Sequence, residues 1–302
     1  MRARLGIAPI AWSNDDLPEL GGETSLETCL LEASAAGFSG VETGGKFPKS
    51  ADKLKKALRK HNLLLCGGWY SGTLLDNTLE KEQERVSEQL NLFKALNAPC
   101  LVYGETAGTI QNLRSVPLNS RRVLSEDQIK TYGSKLTIFA EWCHDQGMPI
   151  SFHHHMGTAI ETQTDVDHLM KHSGEALKLL FDAGHMYFAG GDILSVINSH
   201  YRRISHVHTK DIRSKIIKNL NRGKESFLDA VLKGAFTVPG DGSLDFFKIV
   251  ETLYQKSYEG WFVVEAEQDP KISPPFKYAC IGHKTLTKAL HKVGYKILSY
   301  HE

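Results

Sequence analysis

Short apolar runs alternate with longer helical patterns from one end of this chain to the other, and that alternation limits its fold more than any other feature. The runs that read as strands are Leu5–Ile10, Gly40–Thr43, Leu63–Gly68, Cys100–Tyr103, Pro149–His153, Lys178–Asp182, Ile204–His208 and Trp261–Glu265. Helical spacing recurs between them over Ser25–Ala36, Ala51–Lys60, Leu79–Leu96, Glu126–Gln146, Asp165–His172, Ile193–Ser199 and Leu244–Gln255. A final helix is expected over His283–Leu298. Eight strand–helix units in 302 residues predict an α/β chain closed into a (β/α)8 (TIM) barrel, a single domain spanning residues 1–302. An open doubly wound sheet fits less well. No GxGxxG follows the first strand, and no Pro/Gly-rich linker divides the chain.

Local signals agree with these boundaries. Ser25 precedes a helix that should end at Gly37 in a left-handed cap, and Ser125-Glu126-Asp127 offers an N-cap followed by acidic residues. Two βα connections are too long to be routine, near 104–125 and 213–242. Loops of that length suggest a lid or a contact with a second subunit in a homo-oligomer. The apolar run Phe227–Leu232 in the second could form a short helix over the barrel mouth, or a helix with no role beyond structure.

Composition excludes several classes. A formal net charge of +1 gives no global attraction to nucleic acid or acidic membranes. The five cysteines are scattered and lack a CxxC pair, which argues against a disulfide framework and fits a reducing, cytoplasmic setting. The N-terminus has no apolar stretch resembling a signal peptide, and no segment approaches a membrane span.

In a barrel, chemistry gathers at the C-terminal ends of the strands. The fifth strand ends in His153-His154-His155. Alternation sends His153 and His155 to one face and His154 to the other. The sixth ends in Asp182-Ala183-Gly184-His185, where Asp182 could ligate a metal or simply cap a helix. The seventh ends in His208-Thr209-Lys210-Asp211, which offers a nitrogen ligand and a cation for an oxyanion, or only a strand-end salt bridge. At the eighth, Glu265 and Glu267 share parity and face the interior, where buried carboxylates need a cation or a proton. A divalent metal held by His153, Asp182, His208 and one of these glutamates removes that cost, and the mixed N/O set suits Mn2+, Co2+ or Zn2+ better than Ca2+ or Mg2+. Glu42 stands at the end of the second strand. Trp12, Trp69 and Tyr70 could wall a sugar-sized pocket, although aromatic core packing is the commoner use of such residues.

Taken together, these segments resemble the xylose isomerase-like, endonuclease IV-like barrels and, within them, the inosose dehydratases of inositol catabolism. The resemblance is carried by Gly6–Asp16, Phe152–Thr158 (Phe-His-His-His-Met-Gly-Thr), Phe181–His185, His208–Arg213, Phe236–Gly242 (Phe-Thr-Val-Pro-Gly-Asp-Gly) and Val264–Pro270 (Val-Glu-Ala-Glu-Gln-Asp-Pro), in order over nearly the whole chain. Such barrels commonly ligate metal through Glu, Asp, His and Glu at strands five to eight. Asp182 and His208 match that pattern, and His153 stands where Glu is usual. At strand eight, counting from Gly260 favours Glu265 and counting back from Pro270 favours Glu267. Glu265 is taken as the ligand, with Glu267 its rival.

The resemblance implies dehydration of scyllo-inosose (2-keto-myo-inositol) to 3D-3,5/4-trihydroxycyclohexane-1,2-dione by metal-assisted enolisation and loss of the β-hydroxyl, the work of a hydro-lyase. The expected base is Glu267 or Glu42, the expected acid His155 or His185, and Lys210 would steady the oxyanion. Trp12, Trp69, Tyr70 and Arg213 are the expected contacts to this small-molecule cyclic ketone. A metal-dependent keto-sugar epimerase or isomerase shares the proton-abstraction half. An endonuclease on the same barrel would want a basic face that the near-neutral charge does not supply.

Overall fold

The computed structural model describes all 302 residues. Strands β1 (Arg2–Ile7), β2 (Gly40–Thr43), β3 (Leu64–Gly72), β4 (Leu101–Glu105), β5 (Ile150–His153), β6 (Lys178–Asp182) and β7 (Ile204–His208) pair in parallel in chain order. β8 (Asp211–Ile212) and β9 (Phe236–Thr237) form a separate antiparallel ribbon. β10 (Gly260–Val264) then pairs with β7 and closes on β1, with Leu5 opposite Phe262 and Ile7 opposite Val264. The eight parallel strands make a closed barrel, each paired with a neighbour on both sides.

Helices surround the barrel: α1 (Leu26–Ala35), α2 (Ala51–Lys60), α3 (Leu79–Ala95), α4 (Glu126–Asp145), α5 (Gln163–Lys171), α6 (Ala183–Phe188), α7 (Ile193–His200), α8 (Ser214–Lys218), α9 (Phe227–Leu232), α10 (Phe246–Gln255) and α11 (Pro275–Val293). Each longer helix buries one stripe. In α4 it is Ile129, Tyr132, Leu136, Phe139 and Cys143, recurring three or four residues apart, with Gly133 and Ala140 beside them. Ser25 accepts a hydrogen bond from Thr28 N, Ser125 and Gln128 form a capping box, and Gly37 sits at φ 102° just beyond α1. The barrel strands and the inner helix faces share one core of 62 buried residues.

Several elements depart from the sequence expectation, β3 among them, which runs on to Gly72 rather than stopping at Gly68. The first strand ends at Ile7 rather than Ile10, because Pro9 has no N–H to donate and opens a 3-10 turn over Pro9–Ala11. The last helix begins at Pro275, eight residues before His283, and stops at Val293. Proline suits the first helical position, and Gly294, at φ 102°, ends the helix. The chain then forms β11 (Lys296–Ile297), which pairs with Arg2 and Ala3 of β1. No helix is long and apolar enough to cross a membrane, and all five cysteines are free.

Both long connections fold back over the C-terminal mouth. In the first, Ile110 N donates to Gly157 O at 3.0 Å and so lies on the loop after β5. In the second, α9 and the β8–β9 ribbon bury Phe227, Leu228, Val231 and Phe236 against Leu17, Leu20, Met156 and Phe188. Asp211 pins this cover, because its carboxylate accepts from five backbone amides: Ile212, Gly240, Gly242, Ser243 and Leu244, at 2.7–3.3 Å. Removing it leaves five amides without their shared acceptor and leaves the 240–244 turn untethered. Asp211→Ala should lower the unfolding free energy by about 2–4 kcal/mol in a urea titration. A milder case ties α4 to α5 at the surface. Hydrogen bonds from Lys171 and His172, with His168 nearby, hold the Glu126 carboxyl down at about 2 against an ordinary 4.5. A depressed carboxyl stabilises the fold above its unfolded pKa and loses that contribution as pH falls through the folded one. The melting-temperature difference between wild type and Glu126→Gln should therefore be present at neutral pH and close between about pH 4.5 and pH 2.

Candidate active site

His153, Asp182, His208 and Glu265 bring one ligand atom each into a group whose members all lie within 4.8 Å of one another. Each comes from the end of a neighbouring barrel strand: β5, β6, β7 and the residue just past β10. Hydrogen bonds elsewhere on the two rings decide which nitrogen each turns inward. His153 Nδ1 donates to His154 O at 2.6 Å, which leaves the Nε2 lone pair facing the group. His208 Nε2 donates to Glu42 Oε1 at 3.1 Å, which leaves Nδ1 facing it. Those two nitrogens stand 3.2 Å apart, with Asp182 Oδ2 3.6 Å from one and 3.5 Å from the other, and Glu265 Oε2 against His208.

Such an arrangement repels itself unless a positive charge sits in it. Asp182 Oδ2 is buried with no hydrogen-bond partner, and Glu265 Oε2 meets only His208 Nδ1. Burial opposes charge on His208, yet Glu42 and Glu265 beside it overcome that and drive its pKa well above the ordinary value. Burial likewise opposes ionisation of Glu265, but Lys210 and His208 bring its carboxyl down to about 2. Two carboxylates and two imidazoles aimed at one spot fit a divalent cation. Asp182 serves as a helix cap too, since its Oδ1 accepts from His185 N at 2.8 Å at the start of α6.

A second group lies beside the first. Lys210 Nζ donates to Glu267 Oε2 at 2.6 Å and to His185 Nε2 at 2.8 Å, and stands 3.4 Å from Glu265 Oε1, linking the groups. The other Glu267 oxygen faces His155 Nε2 at 3.8 Å and His185 Nε2 at 3.9 Å. His155 is held by Nδ1 donating to Met156 O at 2.8 Å. Burial alone would discharge Lys210, but Glu265 and Glu267 raise its pKa further, so it remains a cation. Burial drives the His185 pKa well below its ordinary value, so that ring is neutral. Phe227 and Phe236 pack against the His185 ring and shield the group from water.

A cavity of about 850 Å³ opens onto both groups, lined by Glu42, His155, His208, Glu265 and Glu267. Trp69 lines it as well, its ring edge-on to His153 and His155; a side chain at Gly104 would collide with that indole. Three expected substrate contacts are turned elsewhere. Tyr70 follows Trp69 on β3, so it points outward and donates to Glu82 Oε1 at 2.8 Å. Trp12 is buried in the core with its indole N–H on Glu32. Arg213 braces the ribbon through Gly234 O and Asp241. Glu42 reaches the cavity, but its Oε1 is taken by His206 and His208, and together these hold its carboxyl below the usual range despite burial. It orients His208 and is poorly placed as a base. Sequence reasoning passed over Asp16, Thr106, Thr109 and Gln111, which line the cavity from the loops after β1 and β4. The Asn14-Asp15-Asp16 run just beyond the first strand was the available signal.

Comparison with known proteins places the chain in a family. Residues 30–279 match the family model described as xylose isomerase-like TIM barrel. The chain is 44% identical to the rhizopine catabolism protein MocC of Rhizobium meliloti over 300 residues, covering 99% of this chain and 92% of that one. It is 42% identical to the inosose dehydratase of Geobacillus thermodenitrificans over 280 residues, covering 92% and 94%. Among solved structures, the IOLI protein with a binding zinc atom superposes with a TM-score of 0.67 at 15% identity, covering 96% of this chain and 97% of that one, a likeness of fold. The chain therefore belongs to the xylose isomerase-like TIM barrel family, in the branch that carries the inosose dehydratases.

Proposed function

We propose that this protein is a hydro-lyase that dehydrates scyllo-inosose to 3D-3,5/4-trihydroxycyclohexane-1,2-dione, in a reducing, cytoplasmic setting. One observation carries the reading: a base and an acid, Glu267 and His155, face each other beside a four-ligand group, in a chain similar over most of its length to proteins named inosose dehydratase. Elimination needs both groups, one to take a proton from carbon and one to give a proton to the departing oxygen. His153, Asp182, His208 and Glu265 would hold the divalent metal, Mn2+ or Co2+ first and Zn2+ next. When bound there it supplies Lewis-acid polarisation of the substrate carbonyl.

The chain's own residues account for the proton movements. The free Glu267 oxygen takes the proton from the carbon beside the ketone, and Lys210 fixes that carboxylate through its other oxygen. The C–H electron pair becomes a C=C bond as the β C–O bond breaks, and the hydroxyl leaves as water with a proton from His155. The resulting enol tautomerises to the dione. Neutral His185 receives a hydrogen bond from Lys210 and keeps the ammonium pointed at Glu267. The phenyl cover excludes water from these charges and so strengthens them.

Incubation with scyllo-inosose followed by mass analysis tests the reaction. A product lighter by one water is expected; an isomer of unchanged mass would make the protein an epimerase instead. His155→Ala and Glu267→Gln should each lower turnover at least roughly 100-fold while retaining bound metal. Near-normal turnover in both would remove them from the mechanism. The proposed ligands behave differently. Asp182→Asn or His153→Ala should lose divalent metal on dialysis, and Glu42→Gln should weaken metal retention by about 10–100-fold, as read by elemental analysis.

A further inference from the structure

The cavity wall contributed by the loops after β1 and β4 has a construction that the proton chemistry does not use. Asn14 Oδ1 accepts from Asp16 N at 2.9 Å and Leu17 N at 3.0 Å, which fixes the turn that carries Asp16. The loop after β2 grips this turn from outside. Gly45 N donates to Asp15 at 2.8 Å, while Lys46 Nζ donates to Gly22 O at 2.6 Å and Thr24 O at 2.5 Å. Opposite stands Gln111, buried, with its Oε1 accepting from Thr109 and its backbone against Gly157 in the loop after β5. Its amide Nε2 reaches Asp16 Oδ2 at 3.4 Å, a long contact, and no other side chain hydrogen-bonds that carboxyl. Both residues line the cavity.

A half-buried carboxylate that lines the cavity and has one long side-chain hydrogen bond has lone pairs open to further donors. The cavity is where donors can come from. Burial and the neighbouring Glu267 push the Asp16 pKa up, and His155 pulls it down. A ligand that supplies neutral O–H donors, and no second negative charge, suits the place.

We infer that Asp16 and Gln111 form a hydroxyl clasp in which the Asp16 carboxylate accepts from ring hydroxyls remote from the ketone and the Gln111 amide buttresses it, setting which face of a polyhydroxylated ring meets Glu267. This rests on the cyclic-polyol reading above, and it assigns these two residues to specificity rather than to proton transfer.

The probe that separates the two ideas is scyllo-inositol, which presents the ring hydroxyls and has no ketone to enolise. Calorimetry on the metal-loaded full chain should show it binding to wild type, with affinity falling about 10–100-fold in Asp16→Asn and several-fold in Gln111→Ala. With scyllo-inosose the loss should appear in KM more than in kcat, and metal content should not change. Wild type should also discriminate against a monodeoxy inositol, and Asp16→Asn should lose that discrimination, a readout that a purely structural tie between loops would not move. Thermal melting confirms that each variant is folded, and Gln111→Ala stands in should Asp16→Asn not fold. Unaltered scyllo-inositol affinity in both variants, no binding by wild type, or a loss confined to kcat overturns the clasp. If scyllo-inosose is bound but not dehydrated while Asp16→Asn still weakens polyol binding, the clasp stands and the dehydratase reading falls.

Discussion

The structure depends on charge compensation at the closed end of a hydrophobic barrel. Glu42, Asp182, Glu265 and Glu267 are all buried there, and no carboxylate survives burial alone. Lys210 answers two of them, His206 and His208 answer a third, and Asp182 Oδ2 is left without a hydrogen-bond partner between the nitrogens of His153 and His208. Everything around this arrangement maintains it. β1 and β10 close the ring, Asp182 starts a helix with one oxygen while keeping the other free, and Phe227 and Phe236 exclude the water that would screen the charges.

The same logic explains why the long connection after β7 is built as it is. Lys210 and Asp211 are adjacent, so alternation separates them. Lys210 turns into the cavity group, and Asp211 turns to the five amides that hold the 240–244 turn over it. A side chain at Gly242 would fall 2.2 Å from the Asp211 carboxylate, so the Pro-Gly-Asp-Gly turn is shaped by the anchor it wraps. A strand-end salt bridge between Lys210 and Asp211, the bland expectation for such neighbours, does not form.

Much of this was legible in sequence because strands have a fixed period. The bounds of β2, β6 and β7 follow from their apolar runs, and the residues that end β5, β6 and β7 converge because barrel strands must converge. Parity also distinguishes Trp69 from Tyr70, although composition treats them alike. Where the period stops, so does legibility. Whether Glu265 or Glu267 joins His153 could not be counted from either end, because both lie beyond the last ladder residue of β10. Trp12 and Arg213 sit in turns whose course is set by distant partners, Glu32 and the Gly234 carbonyl. Asp16 and Gln111 face the cavity for a similar reason, since Lys46 and Gly157 fix their loops from other parts of the chain.

A spacing of two residues recurs between the two groups. His153 is followed two residues later by His155, His208 by Lys210, and Glu265 by Glu267. Two residues along an extended chain advance about 6.6 Å and return to the same face. Each of three segments, at the ends of β5, β7 and β10, presents one residue to the group around Asp182 and its second neighbour to the group around Glu267. His206, two residues before His208, continues the series downward and anchors Glu42, which orients the ligand layer from below. The two groups meet at Lys210, whose Nζ lies 3.4 Å from Glu265 Oε1 and 2.6 Å from Glu267 Oε2. A strand that slipped by a single residue would remove its members from all of these layers at once. The barrel register and the chemistry are held in place by the same alternation.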